Sequence, residues 1–216
     1  MQTDVQKLAV TPGTHIQMTY LDALIETQLE EMTRDERVIL MGEDISVYGG
    51  DKLVERFGKH RIWNMPISEG SFTGMGIGAA INGLRPIVDL TMASFVYLAS
   101  DQIINQASKL RFMTGGQIDI PIVFRCCMYP LGNNAAQHAD RPYPFFMNVP
   151  GLKIISPTSA ADIKGLMKSA IRDGDPVLMF EDNRLWTVKG DVPTDPDHVI
   201  PIGKADVKRE GKDVTL

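Results

Sequence analysis

Short runs in which almost every residue is apolar alternate along this chain with longer stretches whose apolar positions recur every three or four residues. The short runs are RVILMGEDI (37–45), RIWNM (61–65), RPIVDLT (85–91), PIVFRCC (121–127), LKIISP (152–157) and PVLMFED (176–182). Continuous apolarity over such lengths predicts strands buried on both faces, and Pro86 fits only at the start of its strand. Between them, TYLDALIETQLEEM (19–32) places Leu21, Leu24, Ile25, Gln28 and Leu29 on one helical face, with Thr19 and Asp22 in capping-box spacing. Further helices are expected over 52–57, from Ser68 onward, and over SAADIKGLMKSAIRDG (159–174). A long helix is expected over 94–113, where Gln102, Asn105 and Gln106 interrupt an apolar face and hint at a shared interface. This alternation predicts an α/β fold, a largely parallel sheet with helices on both faces.

Changes of texture divide the chain. Residues 1–18 read as a flexible tail, 19–182 as the main domain and the polar, proline-bearing 183–200 as a linker. IGKADVKREGKDVTL then begins a new alternating strand pair and stops at Leu216, as expected of a truncated C-terminal domain. The irregular stretch MYPLGNNAAQHADRPYP (128–144) carries prolines and small polar residues, which favours a functional loop over a linker.

Composition narrows the class. The chain has 216 residues, 44% of them hydrophobic and 23% charged, with a net charge of −5, as in an ordinary globular protein. No basic run points to nucleic acid, and no apolar run approaches a membrane span. The N-terminus lacks the pattern of a signal or organelle-targeting segment. The only cysteines are the neighbours Cys126 and Cys127, which offer neither a staple between loops nor metal-ligand spacing. A reducing, cytoplasmic setting is the expectation.

Chemistry concentrates in NMPISEGSFTGMGIGAAINGLRP (64–86). A short strand delivers Glu69 to the start of a helix of small and apolar residues, and a carboxylate with little water around it is neutralised, paired or aimed at a ligand. The plain alternative is a first-turn glutamate favoured by the helix dipole. Gly74, Gly76 and Gly78 fail the spacing and placement of a dinucleotide loop. Gly74 and Gly78 instead share a helix face that a second helix or a bound ring can approach closely.

PISEGSFTGMGIGAAINGLRPIVD, DQIINQASKLRFMTGGQIDIPIVFR, AAQH and PGLKIISPTSAADIKGLMKSAIRDGDPVLMFED, in this order, resemble the β chain of the thiamine-diphosphate-dependent 2-oxo acid dehydrogenases, the decarboxylating components acting on pyruvate, branched-chain 2-oxo acids or acetoin. The resemblance implies a transketolase-like domain that binds the aminopyrimidine of thiamine diphosphate. Diphosphate and magnesium would sit on a separate α chain in an α2β2 assembly, since Gly50-Asp51, Gly174-Asp175 and Gly190-Asp191 lack the surrounding diphosphate motif. The acyl group of the 2-oxo acid would pass to a lipoyl-bearing acyltransferase.

By the same resemblance Glu69 hydrogen-bonds ring nitrogen N1′ and makes the exocyclic nitrogen basic enough to deprotonate the thiazolium. Phe95 lies against the aminopyrimidine, unless it is simply a core residue of its helix. Thr91 and Met92 line the pocket, and Ile67 walls it from the other side. His138 corresponds to the active-site histidine, against the alternative of an incidental loop residue. Arg141 either reads a substrate carboxylate or pairs with Asp140. A monovalent-cation site, usually potassium, is implied at Ile122, Ala170, Asp173 and Asp175, largely through backbone carbonyls. Two other readings stay open: a non-catalytic scaffold that keeps the fold, and another thiamine enzyme of the transketolase type.

Overall fold

The computed structural model describes residues 14–129 and 134–216; most of the expected tail (1–13) and the tip of the 128–144 loop (130–133) lie outside them. The apolar runs form six parallel strands: β2 (Val38–Gly42), β3 (Ile62–Asn64), β4 (Arg85–Met92), β5 (Val123–Met128), β6 (Lys153–Ile155) and β7 (Val177–Asp182). Their order across the sheet is β3-β2-β4-β5-β7-β6. Parallel neighbours require crossovers, and helices supply most of them, so the expected α/β architecture is what the chain forms.

Side chains alternate between two cores. Val38, Leu40, Val177 and Met179 face one side, packed with Leu24 and Met32 of α1 (Tyr20–Arg34) and with Ile163 and Met167 of α6 (Ala160–Arg172). Ile39, Met41, Leu178 and Phe180 face the other, with Phe72 and Ile77 of α3 (Glu69–Ile81). The cap expected at Thr19 is made, and Ser159 caps α6 in the same way. Thr19 Oγ1 accepts from Asp22 N at 3.1 Å and donates to its carboxylate at 2.6 Å, and Ser159 Oγ accepts from Asp162 N at 3.1 Å. Ion pairs then tie α1 to α6, with Arg172 on Glu31 at 2.6 Å and Lys164 on Glu30 at 2.8 Å. The remaining helices are α2 (Asp51–Phe57), α4 (Ser108–Met113) and α5 (Tyr143–Phe146).

Three stretches depart from the sequence reading. The expected long helix over 94–113 is a tightly wound turn over Ala93–Ala99, a wide π-type turn over Gln102–Ala107, and then α4. The changing pitch keeps Val96, Ala99, Ile103 and Ala107 buried on one side while the run hugs α3. A Cβ on Gly70 would lie 3.3 Å from Leu98 O, so the glycine face of α3 receives this segment. Second, the end of the supposed tail and part of the supposed linker form an antiparallel pair, β1 (His15–Thr19) with β8 (Lys189–Pro193). Third, 201–216 contains no strand; reciprocal bonds between the Arg209 and Leu216 backbones at 3.0 Å close a turn instead. Alternation yields a strand only where a neighbouring strand accepts its backbone groups.

Candidate active site

The parallel sheet gathers its acidic residues at the carboxyl ends of the strands, where open α/β folds place their ligands. Helix α3 begins at Glu69, and Ser68 does not cap it by side chain; the Ser68 hydroxyl donates to Pro66 O at 3.0 Å. Glu69 is only 5% exposed. Among the described residues no donor bonds its carboxylate, so the acid is sheltered and, among them, unpaired.

Glu43, directly after β2, is the companion that sequence reasoning missed. It is 2% exposed, and its Oε2 is buried without a hydrogen-bond partner. Burial, followed by the charges of Glu69, Asp44 and Asp89, pushes its carboxyl up to about 7. An acid raised in this way keeps its proton in the folded state where the unfolded chain has lost it, so folded stability falls as pH rises from about 4.5 to about 7. Glu43→Gln is therefore expected to gain stability over the parent across that window, levelling off above pH 7 at about 3 kcal/mol. Urea titrations at pH 5 and 8 measure the difference, and an equal gap at both values would remove Glu43 as its source.

Backbone strain marks the same edge. Among the described residues, the non-glycine positions with left-handed φ are Asp44 at 50°, Thr91 at 58° and Ala135 at 59°, each one to three residues from Glu43, Phe95's segment or His138. For β-branched Thr91 this is a real outlier, of a kind that persists only where the surroundings over-determine it. The surroundings can be named. Asp89 Oδ1 accepts from Thr91 N at 2.9 Å, and Thr91 Oγ1 donates to Glu43 O at 3.2 Å. Asp89 is gripped by Arg125 Nη1 at 2.6 Å, and Arg125 Nε reaches Glu181 at 2.7 Å. Burial works against the charge of Arg125, but its two carboxylates outweigh it and hold the guanidinium well above its ordinary range. Charged residues set within three otherwise apolar strands, Asp89 in RPIVDLT, Arg125 in PIVFRCC and Glu181 in PVLMFED, were the available signal for this triad.

The other expected residues fall in two groups. Half-buried Phe95 meets the His138 ring edge-on, with centroids 5.1 Å apart, and His138 Nδ1 is buried without a partner. Asp140 N donates to Ser94 Oγ at 3.4 Å, which ties the histidine loop to the Phe95 segment. Ile67 is 78% exposed and walls nothing within this chain. Arg141 does not pair with Asp140; its Nη2 donates to Asp182 at 3.2 Å, because β7 ends directly beneath the loop.

The implied cation positions lie at the opposite end of the sheet. Ile122 O accepts from Val177 N at 3.0 Å, Ala170 O from Asp173 N at 3.3 Å, and Asp173 O from Arg85 Nη1 at 3.0 Å. Lys153 bonds both Asp173 oxygens at 2.8 Å, and Arg111 bonds Asp175 at 2.6 Å. The donor set is hard oxygen, suited to an alkali cation, but protein cations already serve part of it.

Residues 16–187 match the model of the transketolase pyrimidine-binding domain, and the chain belongs to that family. It is 45% identical over 208 residues to the 2-oxoisovalerate dehydrogenase subunit beta of Bacillus subtilis, covering 92% of this chain and 62% of that protein. It is 44% identical over 214 residues to the pyruvate dehydrogenase E1 component subunit beta of Rhizobium meliloti, covering 96% of this chain and 46% of the relative. The acetoin:2,6-dichlorophenolindophenol oxidoreductase subunit beta of Bacillus subtilis is 42% identical over 212 residues, 90% of this chain and 62% of its own length. The chain thus spans roughly half to three-fifths of these relatives. Among solved structures, a split-gene transketolase in an inactive beta4 tetramer matches 90% of this chain and 60% of its own, with a TM-score of 0.71 and 19% identity, a likeness of fold.

Proposed function

We propose that this chain supplies the pyrimidine half of a thiamine diphosphate site as the β subunit of a 2-oxo acid dehydrogenase. The observation that carries this reading is Glu69, a buried carboxylate left without a donor at the mouth of α3 and coupled to a second carboxyl held near pH 7. The similarity to named β subunits supports the substrate class.

Bound thiamine diphosphate supplies a carbon nucleophile and an electron sink for decarboxylation. The chain's own residues do the rest. The Glu69 carboxylate accepts a hydrogen bond from a ring nitrogen, in a setting dry enough to make that bond strong. Glu43, its carboxyl raised to about 7, feels the charge of Glu69. Phe95 offers a flat apolar face for an aromatic ring. Thr91 is held rigidly beside Glu43, and His138, whose Nδ1 has no partner, can donate or accept a proton near the substrate. Exposed Ile67 is left for a partner surface to cover.

On this reading the diphosphate and magnesium belong to an α chain in an α2β2 assembly, and the acyl group passes to a lipoyl-bearing acyltransferase. Potassium at Ile122, Ala170, Asp173 and Asp175 would use the second lone pairs of the first three carbonyls, each of which already accepts one N–H. No helix among the described residues is long and apolar enough to cross a membrane. Cys126 and Cys127 are free and buried, which suits a reducing compartment, and we place the protein in the cytoplasm.

Reconstitution tests the assignment. The chain is mixed with a cognate α chain, thiamine diphosphate, magnesium, an artificial electron acceptor and a panel of 2-oxo acids. Turnover of at least one 2-oxo acid is expected, and turnover of none, with assembly verified, overturns the proposal in favour of a scaffold role.

A further inference from the structure

Beyond the His138 loop, the carboxyl ends of β5, β6 and β7 enclose a second cavity of about 660 Å³. Its apolar walls include Met128, Tyr143, Ile154 and Leu185, and its polar side is Arg141, Asp182 and Arg184. Two guanidiniums share one carboxylate there. Arg184 Nε donates to Asp182 Oδ1 at 2.9 Å, and its Nη2 to Oδ2, where Arg141 Nη2 also binds at 3.2 Å. The wall therefore keeps one net positive charge. Arg141 Nε and Nη1 and Arg184 Nη1 meet no acceptor among the described residues, and the two side chains are 41% and 47% exposed. Hydrogen bonding from Arg184 and the charges of both arginines hold the Asp182 carboxyl below its usual range, so it remains a fixed brace for both forks.

We propose that this cavity binds an oxyanion-headed molecule with an apolar body, the head on Arg141 and Arg184 and the body against Met128, Ile154 and Leu185. The shape suits it: the volume is that of a small-molecule site, apolar with a few convergent polar groups. A planar guanidinium fork recognises carboxylate and phosphate alike. The site also adjoins the candidate catalytic loop. Arg141 lies three positions after His138, so the two are within about 11 Å along the chain. The inference does not rest on the proposed reaction, and it can fail or hold independently of it.

Trp186 directly follows Leu185 of the cavity wall and packs edge-on against Tyr129 at 5.6 Å, and its fluorescence is followed alongside calorimetric titration. The full chain is titrated at low salt with hexanoate, hexyl phosphate, hexanol and inorganic phosphate. Hexanoate or hexyl phosphate is expected to saturate with a dissociation constant of about 1 mM, and the tighter of the two identifies the preferred head group. Hexanol and inorganic phosphate, each with half of the chemistry, bind about tenfold more weakly or worse. Arg141→Gln and Arg184→Gln each weaken hexanoate about tenfold or more, with thermal melts showing that both variants fold. Arg111→Gln, at the far end of the sheet, leaves binding unchanged. Absence of saturation by about 10 mM, equal binding of hexanol, or equal losses in Arg111→Gln would each overturn the proposal.

Discussion

Glu69→Gln is expected to lower turnover of the reconstituted enzyme by a factor of at least about 10² to 10³, the range seen when one preorganised polar group is removed from an active site. The substitution is nearly isosteric, so packing at the head of α3 is kept while the charge that polarises the bound ring is lost. Circular dichroism and a urea titration should show a fold at least as stable as the parent, because a buried carboxylate without a donor gives way to a neutral amide. The two readouts move in opposite directions, which separates a functional acid from a structural one. A first-turn glutamate serving only the helix dipole predicts the reverse: a loss of a few tenths of a kcal/mol to about 1 kcal/mol of stability and intact turnover. Turnover within a factor of about three of the parent, too small a loss for a preorganised acid, would end the proposed role.

The second large effect concerns Arg125. Its guanidinium is buried between Asp89 and Glu181, on neighbouring strands, at 2.6 and 2.7 Å. Arg125→Met removes the only cation of this triad and leaves two buried carboxylates facing each other, at an expected cost of about 3–5 kcal/mol. Chemical denaturation measures the loss. Adding Asp89→Asn and Glu181→Gln to Arg125→Met should recover part of it, since neutral amides carry no uncompensated charge. A loss below about 1 kcal/mol in the single variant would mean that water or relaxation already screens the triad. Because Asp89 also fixes Thr91 in its left-handed conformation, the single variant should release that strain, and a more mobile Thr91 amide in hydrogen exchange is the local signature.

The two predictions converge on one design. The sheet binds its functional edge from below by ion pairing, so the residues that touch a ligand need not pair with one another. Among the described residues Glu43 Oε2 and His138 Nδ1 stay without a partner, and Glu69 accepts no bond, while Arg125, Asp89 and Glu181 are joined to one another. Stability is spent one layer away from the chemistry, an arrangement that lets the pocket keep costly polar groups free.

What the sequence determined by itself was everything decided by contacts close along the chain. Apolar runs fixed the six strands, because a strand buried on both faces needs no information beyond its own residues, and Thr19 and Ser159 fixed their helix starts through bonds only three residues long. Glu69 was legible for the same reason, as an acid set against a run of small residues. Only the tertiary structure could decide the rest. The charge on Arg125 is answered by residues 36 and 56 positions away, and Glu43 acquires its raised carboxyl from burial in the fold and then from charges that include Glu69 of α3 and Asp89 of β4. The irregular winding of 93–113 answers to the glycines of α3, and β1 exists because β8 lies beside it across the length of the domain. Arg141 found Asp182 rather than its neighbour Asp140 because strand ends meet in space and not in sequence. Local propensity and burial are properties of a segment, whereas electrostatics, strain and strand pairing belong to the neighbours that folding brings to it.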